Sequence, residues 1–114
     1  MKIGLASDFS GFPLKEAVKA HLIEAGYTVG DFGQKVEDEK VNYIEAASRL
    51  VEKILDGSYE RGIVFCGTGA GVSIVANKFK GIYCVPCESM YTAKRCAIIN
   101  NANVLALGTT VIGP

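Results

Sequence analysis

Short apolar runs alternate along the chain with segments whose apolar residues recur every three or four positions. The apolar runs predict strands over residues 2–7, 27–31, 61–65, 81–85 and 104–107. The amphipathic segments predict helices over residues 12–25, 43–55, 71–78 and 91–99. Because strands and helices alternate throughout, the pattern predicts a single α/β domain over residues 1–114, with a parallel sheet covered on both faces.

The helical spacing also predicts which residues face the core. In the first helix these are Leu14, Val18, Leu22 and Ile23, and in the second they are Ala46, Ala47, Leu50, Val51, Ile54 and Leu55. Gly26 follows the first helix and Asp56-Gly57 the second, as expected where a helix ends. The stretch 33–40 is polar and charged, and we expect its charge run at 35–40 to be a solvated loop.

The most informative segment lies at residues 62–74. A strand-like run leads directly into Cys66, and Gly67, Gly69 and Gly71 follow before a helix-forming stretch. Ligands of parallel α/β proteins bind outside the carboxyl ends of the strands, so Cys66 is expected at the mouth of such a crevice. The glycines expose backbone N–H groups to an anion, and a helix N-terminus favours a thiolate. The segment therefore offers a candidate base or nucleophile beside a site for negative charge.

Blander interpretations of this segment stay open. Cys66 is also typical of a buried structural cysteine that ends a core strand. The glycine turn is also compatible with simple packing or with a weak dinucleotide fingerprint, although its G-x-G-x-G spacing fits that fingerprint poorly.

Charge and hydropathy exclude several classes of function. Twelve basic residues balance twelve acidic ones without a basic cluster, which argues against nucleic-acid binding. The apolar runs are too short to span a bilayer, so no membrane association is expected. Met1-Lys2 leads directly into a strand without a signal-peptide pattern, and we expect a cytoplasmic protein.

The cysteines Cys66, Cys84, Cys87 and Cys96 do not resemble a disulfide framework. The Cys84–Cys87 pair has C-x-x-C spacing, but it ends a strand rather than opening a helix, which disfavours a redox motif. A zinc site would need more ligands, and the single histidine, His21, is distant in sequence. We expect neither a metal nor a cofactor.

Several motifs together resemble the type B ribose-5-phosphate isomerase family, which also includes galactose-6-phosphate isomerase subunits and tetrulose-phosphate isomerases. They are Asp8 and the segments 66–74, 76–78, 81–82, 91–94 and 101–104. The resemblance covers essentially the whole chain. It implies a three-layer α/β/α Rossmann-like domain with a five-stranded parallel sheet in the order 2-1-3-4-5. It also implies a homodimer or a dimer of dimers with shared active sites, or assembly with a paralogous subunit.

The resemblance also implies roles for individual residues. Cys66 matches the proton-shuttling base, with Thr68 as a second catalytic residue, and Asp8 matches the acid that orients substrate hydroxyls. The enediolate-stabilising loop corresponds to Gly67, Gly69, Ala70, Gly71 and Val72. Further substrate-binding positions correspond to Phe9, Tyr43, Ile99 and Asn100.

The chain departs from the family pattern at four places. Phe9 and Ile99 stand where the family has histidines, the latter the ring-opening residue, and Thr110 stands where it has an arginine. The sequence stops at Pro114, where relatives continue into a helix with phosphate-binding arginines. Arg95, Lys94 and Lys78 are the remaining candidates for a cationic clamp on a phosphate.

These observations predict a sugar-phosphate aldose–ketose isomerase. Isoleucine cannot transfer a proton, so an open-chain tetrulose phosphate fits better than ribose 5-phosphate, whose ring must open. The alternatives are a non-catalytic or partner-dependent isomerase subunit, a sugar-phosphate binding module and, last, a redox protein.

Overall fold

The computed structural model describes residues 1–99 and 101–112, apart from the side chains of residues 90 and 97–99. Within this part of the chain the elements are β1 (Lys2–Ser7), α1 (Phe12–Glu24), β2 (Thr28–Asp31), α2 (Tyr43–Leu55), β3 (Arg61–Cys66), α3 (Ala70–Ala76), β4 (Cys84–Pro86), α4 (Met90–Ile99) and β5 (Val104–Gly108). The predicted succession of strands and helices is confirmed. The predictions for the Ile99 side chain and for Asn100 lie outside the described residues.

The five strands form one parallel sheet in the order β2-β1-β3-β5-β4. The α/β class and the five-stranded parallel sheet are confirmed. The predicted order 2-1-3-4-5 is wrong in its last two positions, because β5 lies between β3 and β4.

The strands' own composition explains this order. β5 pairs on one side with β3, from Gly62↔Val104 to Cys66↔Gly108, and on the other side with β4. β4 has only three residues and ends in Pro86, which has no N–H to donate and is therefore suited to an edge strand. The longer apolar β5 can satisfy backbone hydrogen bonds on both sides and takes the inner position.

Helices cover both faces of the sheet and give three layers. One core cluster joins the sheet to α2 and α3 and includes Leu50 and Val72. On the opposite face, Leu14 of α1 packs against β1 and β3, and Cys96 of α4 packs beside Cys87. Within the described residues, no helix is both long enough and apolar enough to cross a membrane.

Two helix positions differ from the predicted core faces. Ile23 and Leu55 lie near the ends of their helices and are 56% and 49% exposed, since little of the sheet extends beneath them. Lys15, by contrast, is fully buried. Its ammonium donates to the Asp31 carboxylate at 2.5 Å and to the backbone carbonyl of Gln34, so the charge is paired where it is buried.

Candidate active site

Asp8 and Cys66 follow neighbouring strands at the carboxyl edge of the sheet. Ser7 and Phe65 are register partners, and the N–H of Asp8 donates to the Phe65 carbonyl at 3.2 Å. Asp8, one residue past β1, therefore lies beside Cys66, the last residue of β3. The backbones of paired strands are about 4.8 Å apart. Both are buried. The structure thus brings together the two residues that the sequence predicted as base and substrate-orienting acid.

The turn after Cys66 directs one backbone N–H towards the thiol. The N–H of Gly69 donates to the Cys66 Sγ at 3.1 Å, and Gly69 adopts φ +86°, a conformation that favours glycine. The hydroxyl oxygen of Thr68 accepts from the Ala70 N–H at 3.1 Å, so its own O–H proton is available to another group. Val72 is fully buried in the core cluster that α3 shares with the sheet, so the structure does not expose this predicted binding residue.

The loop after β1 is held tightly against β3. The Asp8 carboxylate accepts from the Gly11 N–H at 2.8 Å. Burial raises the pKa of the Asp8 carboxyl, and backbone hydrogen bonds from this turn oppose that rise in part. A Cβ on Gly11 would lie 2.4 Å from the Phe65 carbonyl carbon, so this position admits no side chain. The Asp8 turn and the Cys66 turn are thereby fixed to one another.

Two aromatic residues border this centre. Phe9 is 53% exposed, and its N–H donates to the Val41 carbonyl at 3.1 Å. The Tyr43 ring lies against the first turn of α3, where a Cβ on Gly71 would come within 3.0 Å of it. A groove of about 410 Å³ extends from Tyr43 and Gly71 between α2 and α3 as far as Lys78.

The segment after β5 closes the third side of the site. The Thr109 N–H donates to the Cys66 carbonyl at 3.0 Å, and the Thr110 hydroxyl donates to the Gly67 carbonyl at 2.6 Å. The family pattern marks Thr110 only as a replaced arginine, and this hydrogen bond to the glycine turn is not predicted from it. The available signal was a polar Gly-Thr-Thr run directly after a buried parallel strand, since such strands end at one edge of the sheet.

The predicted cationic clamp is not assembled around Cys66 in the described residues. The Arg95 guanidinium stacks on the Tyr91 ring at 4.3 Å, and Lys94 is exposed on the same helix. Lys78 lies beyond the end of α3, at the far end of the groove from Tyr43.

The other cysteines lie outside the turn that follows Cys66. Cys84 belongs to the core cluster on the α2–α3 face, which also includes Cys66, whereas Cys87 packs with Cys96 on the α4 face. Burial raises the pKa of Cys84 to about 12 and that of Cys87 to about 11. The four cysteines are free, and no group of three or more metal-ligating side chains occurs among the described residues.

Comparisons with known proteins show the family to which the chain belongs. Residues 3–114 match the model of the family described as Ribose/Galactose Isomerase. The chain is 47% identical to 4-deoxy-4-sulfo-D-erythrose isomerase of Clostridium sp. strain MSTE9, over 98% of this chain and 70% of the relative. It is 40% identical to D-erythrulose-4-phosphate isomerase of Pectobacterium atrosepticum, over 100% of this chain and 75% of the relative.

A solved structure shares the fold throughout. Ribose-5-phosphate isomerase B of Clostridium thermocellum superposes with a TM-score of 0.95 at 42% identity, over 99% of this chain and 76% of that one. The sheet order and the three layers described above are therefore those of a known isomerase fold.

Proposed function

Since the chain belongs to the ribose/galactose isomerase family, we propose that it interconverts an aldose and a ketose through a cis-enediolate with Cys66 as base. The enzyme class follows from the family. The role of Cys66, the binding residues and the substrate are the proposal. It depends chiefly on one observation, the buried Cys66 thiol that accepts the Gly69 N–H beside Asp8.

The proposed reaction moves one proton between adjacent carbons. The Cys66 thiolate takes the proton from C2 of the aldose, and the electrons of that bond form the enediolate. The proton of the C2 hydroxyl passes to the C1 oxygen, the thiol returns its proton to C1, and C2 becomes the carbonyl, so no oxidant or reductant is consumed. In this proposal, backbone N–H groups of the 67–72 segment would stabilise the developing negative charge, and the Thr68 O–H, whose oxygen accepts from Ala70, would donate to a substrate oxygen. Asp8 would orient the substrate hydroxyls.

We propose a four-carbon substrate with phosphate or sulfonate at C4. Such a sugar has no hydroxyl at C4 and cannot close a five-membered ring, so it needs no ring-opening acid. Phe9 and Ile99, which stand at the family's histidine positions, cannot transfer a proton. The two curated relatives cited above, one sulfonated and one phosphorylated, carry names of four-carbon sugars, which supports this choice.

Deuterium wash-in by NMR tests the proposal. The protein is incubated in heavy water with erythrulose 4-phosphate, 4-deoxy-4-sulfo-erythrose, ribose 5-phosphate and a hexose 6-phosphate. We expect exchange next to the carbonyl of the four-carbon sugars, at least about tenfold slower exchange with the ring-closing sugars, and loss of exchange in Cys66→Ala. Cys87→Ala, another buried cysteine away from the site, should retain exchange.

Other results would overturn parts of this proposal. Fast turnover of ribose 5-phosphate would contradict the open-chain preference. Persistence of exchange in Cys66→Ala would remove Cys66 from the base role. No exchange with any substrate would favour the partner-dependent subunit that the replaced histidines also allow.

The assembly is a further part of the proposal. Ile44 and Ile74 are more than half exposed along the groove that begins at Tyr43, and they support a homodimer, alone or within a dimer of dimers, through the α2–α3 face. Light scattering after size exclusion should give twice or four times the chain mass for the wild type. Ile74→Glu should give monomers if this face is the interface. A cytoplasmic location stays a prediction.

A further inference from the structure

We propose that Lys40, held over the ring of Phe9, binds the terminal phosphate or sulfonate of the substrate. It thereby favours sugars that carry such an anion over sugars that lack it. The inference rests on the proposed function, because it concerns the same site. It assigns a role to the charge run at 35–40, which the sequence predicted to be a solvated loop.

The loop is ordered by its own side chains. The buried Gln34 donates through its Nε2 to the Glu37 carbonyl at 3.3 Å and accepts through its Oε1 from the Val41 N–H at 3.4 Å. The Glu39 carboxylate accepts from the Lys35 N–H at 2.7 Å. These hydrogen bonds join the two ends of the loop. The backbone at Lys40 is therefore held in place.

That position faces the candidate active site. The Val41 carbonyl accepts from the Phe9 N–H at 3.1 Å, and the Lys40 Nζ lies 5.6 Å from the centroid of the Phe9 ring. Phe9 directly follows Asp8, which is adjacent to Cys66 across the sheet. A cation therefore stands at the rim of the site, on the side of the residue that replaces a family histidine.

The chemistry of this pair suits an anion. An aromatic ring covers only one side of an ammonium group. The N–H groups on the other side can still donate to phosphate or sulfonate oxygens. The exposed Phe9 ring also offers an apolar platform for the adjacent methylene of the substrate.

The neighbouring acidic residues reduce the positive potential at Lys40 but do not form an ion pair with it. Glu37 and Asp38 are exposed in the same loop, and Glu39 directs its carboxylate to the backbone N–H groups of Lys35 and Val36. No ion pair joins a carboxylate to Lys40 within the described residues.

Other described cations are placed less well. Lys15 and Lys19 are both paired with Asp31. Arg95 stacks on Tyr91, and Lys78 lies past the end of α3. Unlike these four cations, Lys40 lies over the ring of a predicted substrate-binding residue, Phe9.

The test compares Lys40→Met and Lys40→Arg with Lys35→Met, a matched control in the same loop. With erythrulose 4-phosphate we expect Lys40→Met to raise KM about tenfold while kcat stays within about twofold. Lys40→Arg should restore most of the affinity, and Lys35→Met should resemble the wild type. With unphosphorylated erythrulose, which lacks the anion, Lys40→Met should leave kcat/KM unchanged.

Two results would overturn the inference. One is a KM for erythrulose 4-phosphate that Lys40→Met leaves unchanged. The other is an equal loss with unphosphorylated erythrulose, since that would indicate a role in folding or positioning rather than in anion binding.

A binding measurement separates this inference from the proposed function. Erythritol 4-phosphate has no carbonyl and cannot be isomerised, so calorimetry reports binding alone. If the wild type isomerises nothing but binds this polyol about tenfold more tightly than Lys40→Met, the proposed reaction fails and the anion site stands. If both proteins bind it equally, the anion site fails whatever the activity.

Discussion

The backbone N–H of Gly69 donates a hydrogen bond to the Sγ of Cys66 across 3.1 Å. This contact depends on the left-handed conformation of Gly69, at φ +86°, which turns the chain back towards the thiol before α3 begins. The donor thus reaches the sulfur atom that the proposed reaction uses as base. The relationship links the glycine pattern of the sequence to the chemistry of the site.

Gly69→Ala should therefore impair catalysis. A side chain at this φ costs about 1–2 kcal/mol, and its Cβ would lie 3.2 Å from the Leu107 carbonyl carbon. We expect kcat to fall by roughly 10²-fold as the N–H moves away from Cys66. Gly57→Ala is the matched control, because Gly57 has φ +84° with open space around it far from the site. Gly57→Ala should lose comparable stability in urea titrations and keep the wild-type kcat. An unchanged kcat in Gly69→Ala would show that the Gly69 N–H on Cys66 is not needed for catalysis.

Asp8→Asn should separate stability from activity. Burial raises the pKa of Asp8, so the folded protein binds this proton more tightly than the unfolded chain, and the stability from this group falls as pH rises through that window. Asparagine keeps an oxygen that can accept the Gly11 N–H but carries no buried charge. We expect a Tm at pH 7 equal to or above that of the wild type, a flatter dependence of Tm on acidic pH, and a kcat lower by roughly 10²-fold.

Calorimetry between pH 3 and pH 7 and steady-state kinetics check the Asp8 prediction. A large fall in Tm at pH 7 would indicate instead that the ionised carboxylate stabilises the turn.

Gly11 and Gly67 should respond differently to the same substitution. A Cβ on Gly11 meets the Phe65 carbonyl carbon at 2.4 Å and the Cys66 nitrogen at 2.7 Å, and neither backbone atom can yield. A Cβ on Gly67 meets only the Ser10 Cβ at 3.7 Å. We expect Gly11→Ala to lower the free energy of unfolding by about 3 kcal/mol or more and Gly67→Ala by under about 1 kcal/mol. Equal losses in urea titrations would refute the packing account.

Lys15 should be far more important for stability than its neighbour Lys19. Lys15→Met leaves the buried Asp31 carboxylate with Lys19 alone, at 3.1 Å, and leaves the Gln34 carbonyl without this donor. We expect a loss of about 3 kcal/mol in the free energy of unfolding. Replacing the partly exposed Lys19 by Met should lower the free energy of unfolding by under about 1 kcal/mol. Similar losses of unfolding free energy for Lys15→Met and Lys19→Met in chemical denaturation would show that the buried ion pair of Lys15 contributes no more than the partly exposed one of Lys19.

Cys84 and Cys87 should be protected from alkylation in the folded protein. With pKa values raised to about 12 and about 11, less than about one in a thousand of these thiols is ionised at pH 8. We expect iodoacetamide to label both slowly at pH 8 and quickly in urea, with site occupancy measured by mass spectrometry of peptides. Rapid labelling of the native protein would contradict this environment.

Much of the fold could be predicted from the sequence because it depends on local patterns. Apolar runs and helical spacing predicted β1 and α2 with the observed bounds. The glycine turn after Cys66 was predictable because clustered glycines after a strand indicate a turn, and because parallel strands present their carboxyl ends at one edge. The roles of Cys66 and Asp8 in the candidate site came from the family resemblance, and their adjacency fits those roles.

The tertiary structure decided what depends on contacts between distant segments. The inner position of β5 reflects competition between two strands for the same partner β3, which no local pattern expresses. Lys15 is buried only because Asp31 and Gln34 converge on it from β2 and the loop that follows. Lys40 reaches Phe9 only because the loop at 34–41 closes on itself. The sequence by itself determined the elements and the turn that holds Cys66, whereas long-range pairing and buried charge determined how they are arranged around it.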